Sequence, residues 1–188
     1  MNKNTNQSER GFSLIEVMIS AAIMTIGLLS LLAVFGLAMA STHQAQQDMV
    51  AKQLATEAME SVVTARDTAQ IPWASIQNTS QGGIFVDNPQ FQPINQPGQD
   101  GILGTADDSA AGPTYLTEPG PDGIVGTSDD IKLPLTGYQR SIAIQPVTDA
   151  AGNVNPSLRS ITVTIQYFVP QRATPKQYVV TGFISQFR

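Results

Sequence analysis

The sequence predicts an α+β chain: a long N-terminal helix, membrane-spanning in its first half, packed on a C-terminal antiparallel sheet. Three observations carry this. Val17–Ala40 is a 24-residue run without a charged side chain. An apolar stripe at helical spacing follows it. The last third of the chain holds three segments rich in Ile, Val, Thr, Tyr and Phe, one of them alternating apolar and polar residues.

Val17–Ala40 reads as a bilayer-spanning helix. At about 1.5 Å per residue it is roughly 36 Å long, enough for a hydrocarbon core of about 30 Å. It contains Gly27 and Gly36 but no proline, so nothing in it forces a break. Lys3 and Arg10 precede the run and the next Lys or Arg is Lys52, a bias that keeps the N-terminus cytoplasmic and sends the remainder outward. A cleaved secretory signal has a shorter apolar core, although Ala38-Met39-Ala40 loosely fits its cleavage pattern.

From Ser41 to about Arg66 there is neither Gly nor Pro. Val50, Leu54, Ala58 and Val62 recur every four residues, with Met49 and Met59 beside them, while Gln46, Gln47, Lys52, Glu57 and Glu60 cover the other side. That is one apolar stripe of an amphipathic helix. The spacing predicts one helix from about Phe12 to Arg66, roughly 80 Å long. The methionines read as core filler, and His43 as an exposed boundary residue.

Ile71-Pro72 marks the helix end, since the residue before proline is pushed out of the helical region. Trp73 is expected to pack between helix and sheet. Asn78–Thr136 reads as loop, dense in Pro, Gly, Asn and Gln, with a short strand over Gly82–Val86. Strands are expected at Tyr138–Val147, Leu158–Val169 and Tyr178–Phe187. In the middle one Ile161, Val163, Ile165, Tyr167 and Val169 share a face, opposite Thr162, Thr164 and Gln166. The connections Asp149–Pro156 and Pro170–Lys176 suit antiparallel neighbours. A sheet with one apolar face needs a cover, and the stripe from Val50 to Val62 supplies it.

Composition narrows the function. With 13% charged residues, a net charge of −5 and no run of Lys or Arg, nothing favours nucleic acid, whose phosphates require a basic surface. No cysteine and a single histidine leave little with which to build a thiol, imidazole or thiolate–metal catalyst. No enzyme is expected.

The segment Gly11-Phe12-Ser13-Leu14-Ile15-Glu16 resembles the class III signal of type IV prepilins and of type II secretion pseudopilins. The likeness is dense from Arg10 to about Arg66 and thin elsewhere. It implies that a prepilin peptidase/methyltransferase removes a cytoplasmic leader, residues 1–11, by cutting after Gly11, then methylates the new Phe12 amine. The remaining organisation is a transmembrane and assembly helix over 12–40, an amphipathic helix over 41–70, and a globular β-rich pilin domain over 71–188. In that family the acid corresponding to Glu16 is thought to meet the N-terminal amine of a neighbouring subunit. A carboxylate near a membrane span costs on the order of 2.5–3.5 kcal/mol on insertion scales. A buried pair fixes register more reliably than it adds stability, while in the membrane the dipole at a helix start favours an acid.

Glu16-Val17-Met18-Ile19, Gly27-Leu28-Leu29, Leu54–Glu60 and Ser160–Ile165 are most similar to minor pilins of the PilV type, which are thought to prime, cap or modify a filament. Many major pilins carry a proline in the span and a C-terminal disulfide loop; this chain has neither. The expected location is the inner membrane, single-pass, then a periplasmic or extracellular filament, with other pilin subunits as partners. A minor pseudopilin of type II secretion shares the signal. A membrane-anchored adhesion or binding module is the reading from another class.

Two segments match at a spacing of 22: Gly98–Asp108 and Gly120–Asp130 are identical at eight of eleven positions. Seven acids and no Lys or Arg fall between Gly98 and Asp130, a concentration of charge that opposes a compact loop. Calcium, which takes six to eight oxygens, would relieve it. The expected ligands are Asp100, Asp107 and Asp108 in the first copy and Asp122, Asp129 and Asp130 in the second. The pattern fails the EF-hand at Ile102 and Ile124. Read plainly, the copies are Asp-Gly turns in a solvated loop.

Overall fold

The computed structural model describes residues 11–87, 90–169 and 174–187; the leader residues 1–10 lie outside it. Contacts divide the chain into two units, 1–45 and 46–188. One helix, α1 (Leu14–Asp67, 54 residues), runs through both. Its end falls within one residue of that expected, just short of Ile71-Pro72.

In the first unit every described residue is exposed, and α1 is long and apolar enough there to cross a membrane. Its hydroxyls do not interrupt the helix. Thr25 Oγ1 donates to the Ala21 carbonyl (2.7 Å) and Ser30 Oγ to that of Ile26 (2.8 Å). Both side chains thus satisfy their donors inside the helix, as lipid requires.

In the second unit the remaining elements follow as β1 (Gln92–Pro93), α2 (Asp108–Ala111), β2 (Tyr115–Glu118), β3 (Ile131–Pro134), β4 (Tyr138–Thr148), β5 (Val154–Tyr167) and β6 (Lys176–Ser185). Four form an antiparallel sheet in the order β1-β4-β5-β6, and β2-β3 is a separate hairpin. Ile161, Val163, Ile165 and Tyr167 of β5 are all buried, the face the alternation predicted. Against it lie Ala51, Leu54, Ala55, Ala58, Val62 and Ala65 of α1. Four of these six are alanines, so the helix backbone approaches the sheet closely. Gly182 of β6 helps: a Cβ there would stand 3.3 Å from Met59 Sδ, tight enough that the Met59 side chain would have to shift. Met49, expected beside the stripe, is exposed.

Three expectations change. Gly82–Val86 forms no strand; Phe85 alone bridges to Asn78 and Thr105, and its fully buried ring joins the core. The segment 78–136, read as loop, holds the β2-β3 hairpin and α2. Strand β5 begins at Val154 rather than Leu158, because the β4-β5 register shifts between Pro146 and Val147 and pairing resumes at Asn155 and Val154. The expected connection 170–176 lies largely outside the described residues.

Buried polar groups are clipped to backbone. Asn78 Nδ2 donates to the carbonyls of Val86 (2.9 Å) and Ile142 (2.8 Å), and its Oδ1 accepts from Ile144 N–H (2.7 Å). It serves as a one-residue strand on the edge of β4. Trp73 packs on the core, half-buried, with the Arg159 guanidinium 4.3 Å from its ring centroid.

Asp48 ties α1 to the far end of the sheet. It accepts from Tyr167 Oη (2.6 Å) and from Lys176 Nζ (2.8 and 2.6 Å). The Lys176 bond, then the Tyr167 bond, hold its carboxyl below the ordinary value. A depressed carboxyl contributes stability above its unfolded value and loses it as pH falls through the folded one. The group is partly exposed, so Asp48→Asn is expected to cost only about 0.5–1 kcal/mol at neutral pH. Urea titrations should show that difference closing below the ordinary aspartate range.

Candidate functional site

The first candidate is the N-terminal signal. Ser13 accepts at its carbonyl from Glu16 N–H (3.0 Å) and Val17 N–H (3.2 Å), so the helix opens just after it. Gly11 and Phe12 precede the helix in non-helical backbone. A Cβ at Gly11 would meet nothing within 4 Å, and the Phe12 ring is exposed. The Gly11–Phe12 peptide is therefore outside the helix and open to solvent. Glu16 occupies the first turn of α1, where the unpaired N–H groups favour an acid.

The duplicated loops are the second candidate, and they fold alike. Ile102 N–H donates to Asp100 Oδ1 and Ile124 N–H to Asp122 Oδ1, both at 2.8 Å. Gly104 N–H donates to Asp108 Oδ2 (2.7 Å) and Gly126 N–H to Asp130 Oδ2 (2.6 Å). Thr105 Oγ1 donates to Asp107 Oδ1 (2.6 Å) and Thr127 Oγ1 to Asp129 Oδ1 (2.5 Å). Gly101 and Gly123 (φ 69° and 71°), with Gly104 and Gly126 (φ 92° and 100°), take the left-handed backbone that makes the repeat conserve its glycine positions between copies.

Each aspartate thus accepts from its own loop. The Thr105 hydroxyl, then Asp100 N–H, hold the Asp107 carboxyl low, and the Thr127 hydroxyl, then Asp122 N–H, do the same for Asp129. Asp108 differs: burial pushes its carboxyl up, against Gly104 N–H, Gly98 N–H and Arg140. Among the described residues no group of three or more His, Cys, Asp or Glu side chains is placed to hold a metal ion. Asp100, Asp107 and Asp108 lie in one turn and Asp122, Asp129 and Asp130 in the other, and neither trio converges on a common point.

Sequence reasoning missed Arg140. It is 2% exposed, and its Nη2 donates to Asp108 Oδ2 at 3.1 Å. The visible signal was the one charged residue in the strand Tyr138–Val147.

Residues 6–32 match the family model of the prokaryotic N-terminal methylation motif; residues 33–188 lie outside that match. No curated protein and no solved structure matches the chain. The chain carries a type IV pilin-like N-terminal signal, which implies processing by a prepilin peptidase and assembly with other pilins.

Proposed function

We propose that this chain is a minor pilin of a type IV pilus, cut after Gly11, N-methylated at Phe12 and assembled through α1 to prime, cap or modify the filament. The observation that carries the reading is the open Gly11–Phe12 peptide, with Glu16 in the first turn of an apolar helix. The first part of α1 is exposed on all sides, so it lies in lipid or among other helices. Its second part is covered on one face by its own sheet. A helix buried twice in this way suits a subunit that moves from membrane to filament. Before assembly the N-terminus lies on the cytoplasmic side of the inner membrane, as Lys3 and Arg10 direct.

The signal alone fits a minor pseudopilin of type II secretion equally. The absence of a proline in the span and of cysteine favours a minor over a major subunit in either system. Calcium at the acidic loops is a separate proposal motivated by the seven acids between Gly98 and Asp130.

Mass spectrometry of sheared filaments from the producing bacterium tests the assignment. The expected N-terminal peptide begins with Phe12 and carries one methyl group on its amine. A chain found only in membranes, beginning at Met1 or at Ser41, would overturn it in favour of an anchor or a cleaved signal.

A further inference from the structure

The two copies of the repeat fold alike but meet different surroundings. In the first, Ile102 and Leu103 are 0% and 4% exposed. Leu103 N–H donates to Ser61 Oγ of α1 (2.9 Å), and Asp108 receives Arg140. Phe85 and Ile142 line the same recess, both within reach of Gly104. The turn is a plug: two apolar side chains enter a socket while the adjacent carboxylate meets an arginine at its floor.

The second copy presents the same plug with no socket. It is the tip of the β2-β3 hairpin, where Ile124 and Val125 are each 61% exposed. Asp130 stands where Asp108 stands. Its Oδ2, the counterpart of the Asp108 oxygen that receives Arg140, accepts from Gly126 N–H and from no arginine. Its Oδ1, the counterpart of the oxygen that accepts Gly98 N–H in the first copy, is buried without a partner. Among the described residues no Lys or Arg forms an ion pair with it. The strands below the tip expose Tyr115, Ile131 and Leu133 as well. A two-stranded hairpin is marginal in water by itself, and one that also shows five large apolar side chains is shaped for cover.

We infer that the hairpin tip docks into a partner protein that offers what the first copy finds at home, an arginine at the floor of an apolar recess. Ile124 and Val125 enter the recess and Asp130 pairs with the arginine. Charge complementarity sets the sign. The stretch 98–130 carries acids only, and the cation that the first copy takes from β4 must here come from outside. The inference stands apart from the filament reading, because it rests on residues far in sequence from the signal.

The chain has no cysteine and its tip is exposed, so the full-length protein can carry the photoreactive residue p-benzoylphenylalanine at position 125, expressed in the producing bacterium. Irradiation is expected to give a discrete cross-linked protein whose labelled residues, mapped by mass spectrometry, surround an arginine within an apolar recess. Asp130→Asn keeps the acceptor for Gly126 N–H and removes the charge. It should lower the yield by about tenfold or more, as removal of one partner from a desolvated pair does. Ile124→Ser should do likewise, with the melting temperature of the detergent-purified chain unchanged. A second copy of this chain, captured at such a recess, supports the inference and identifies the partner. It is overturned by a yield no higher than with the probe at exposed Ala151, by labelling of lipid alone, by a mapped surface without arginine, or by a yield insensitive to Asp130→Asn.

Discussion

Glu16→Ala is expected to leave cleavage after Gly11 and methylation of Phe12 intact while reducing the chain in sheared filaments by at least about tenfold. The substitution removes a carboxylate from the mouth of the span, where it costs on the order of 2.5–3.5 kcal/mol on insertion scales. Membrane insertion should therefore hold or improve. Within a filament the balance reverses. In the proposed filament Glu16 is expected to face a neighbour's Phe12 ammonium, and breaking a buried pair by removing one partner costs about 3–5 kcal/mol, more than a hundredfold in an equilibrium. Glu16→Gln keeps size and hydrogen bonding and should fail as Ala does, which assigns the effect to charge. Immunoblots of membrane and sheared fractions read both steps. Unchanged incorporation would mean that Glu16 is not the assembly contact, and absence of the unsubstituted chain from sheared filaments would place it with anchored binding modules, whose span has no use for the acid.

The large elements were legible because their residues speak locally. α1 has no glycine or proline after Gly36, and its stripe repeats every four residues from Val50 to Val62, with Ile71-Pro72 marking the end. β5 alternates over seven positions, and its register fixes which face meets α1. What stayed hidden depends on partners distant in sequence. β2 and β3 are four residues each, contain Glu118, Lys132 and Pro134, and bury little, so no period marks them. Phe85 enters the core without a strand, its N–H donating to the Gln77 carbonyl and its carbonyl accepting from Thr79 N–H, while the Asn78 side chain pairs with β4. The N-terminal methylation motif was legible from the order Gly11, Phe12, Glu16, which falls within the family match over residues 6–32. The fates of the two repeats were not. Eight of eleven residues are shared, and the difference lies in Ser61 and Arg140, which one copy reaches and the other does not.

That difference sets the second large prediction, with the copies as mutual controls. Asp108→Ala is expected to lower stability by about 3–5 kcal/mol in urea denaturation, and Asp130→Ala by less than about 1 kcal/mol. Asp108 Oδ1 accepts from Gly98 N–H (3.1 Å), while its Oδ2 accepts from Gly104 N–H and Arg140. Its loss orphans two amides and leaves a guanidinium buried whose Nε already lacks a partner. Each orphaned donor costs about 1–3 kcal/mol, and an unpaired buried charge costs more. Asp130 accepts from one exposed amide, which water can satisfy. The pair is not a net gain of charge attraction, however. Burial pulls Arg140 down and pushes Asp108 up, and neither is restored by the other. A carboxyl raised on folding keeps its proton where the unfolded chain has lost it, so stability from this group falls as pH climbs through the raised value. Asp108→Asn should remove that slope while Asp130→Asn leaves it. Equal costs for the two alanine variants would mean that the first copy is not seated on Arg140, and that its buried environment does not separate it from the second.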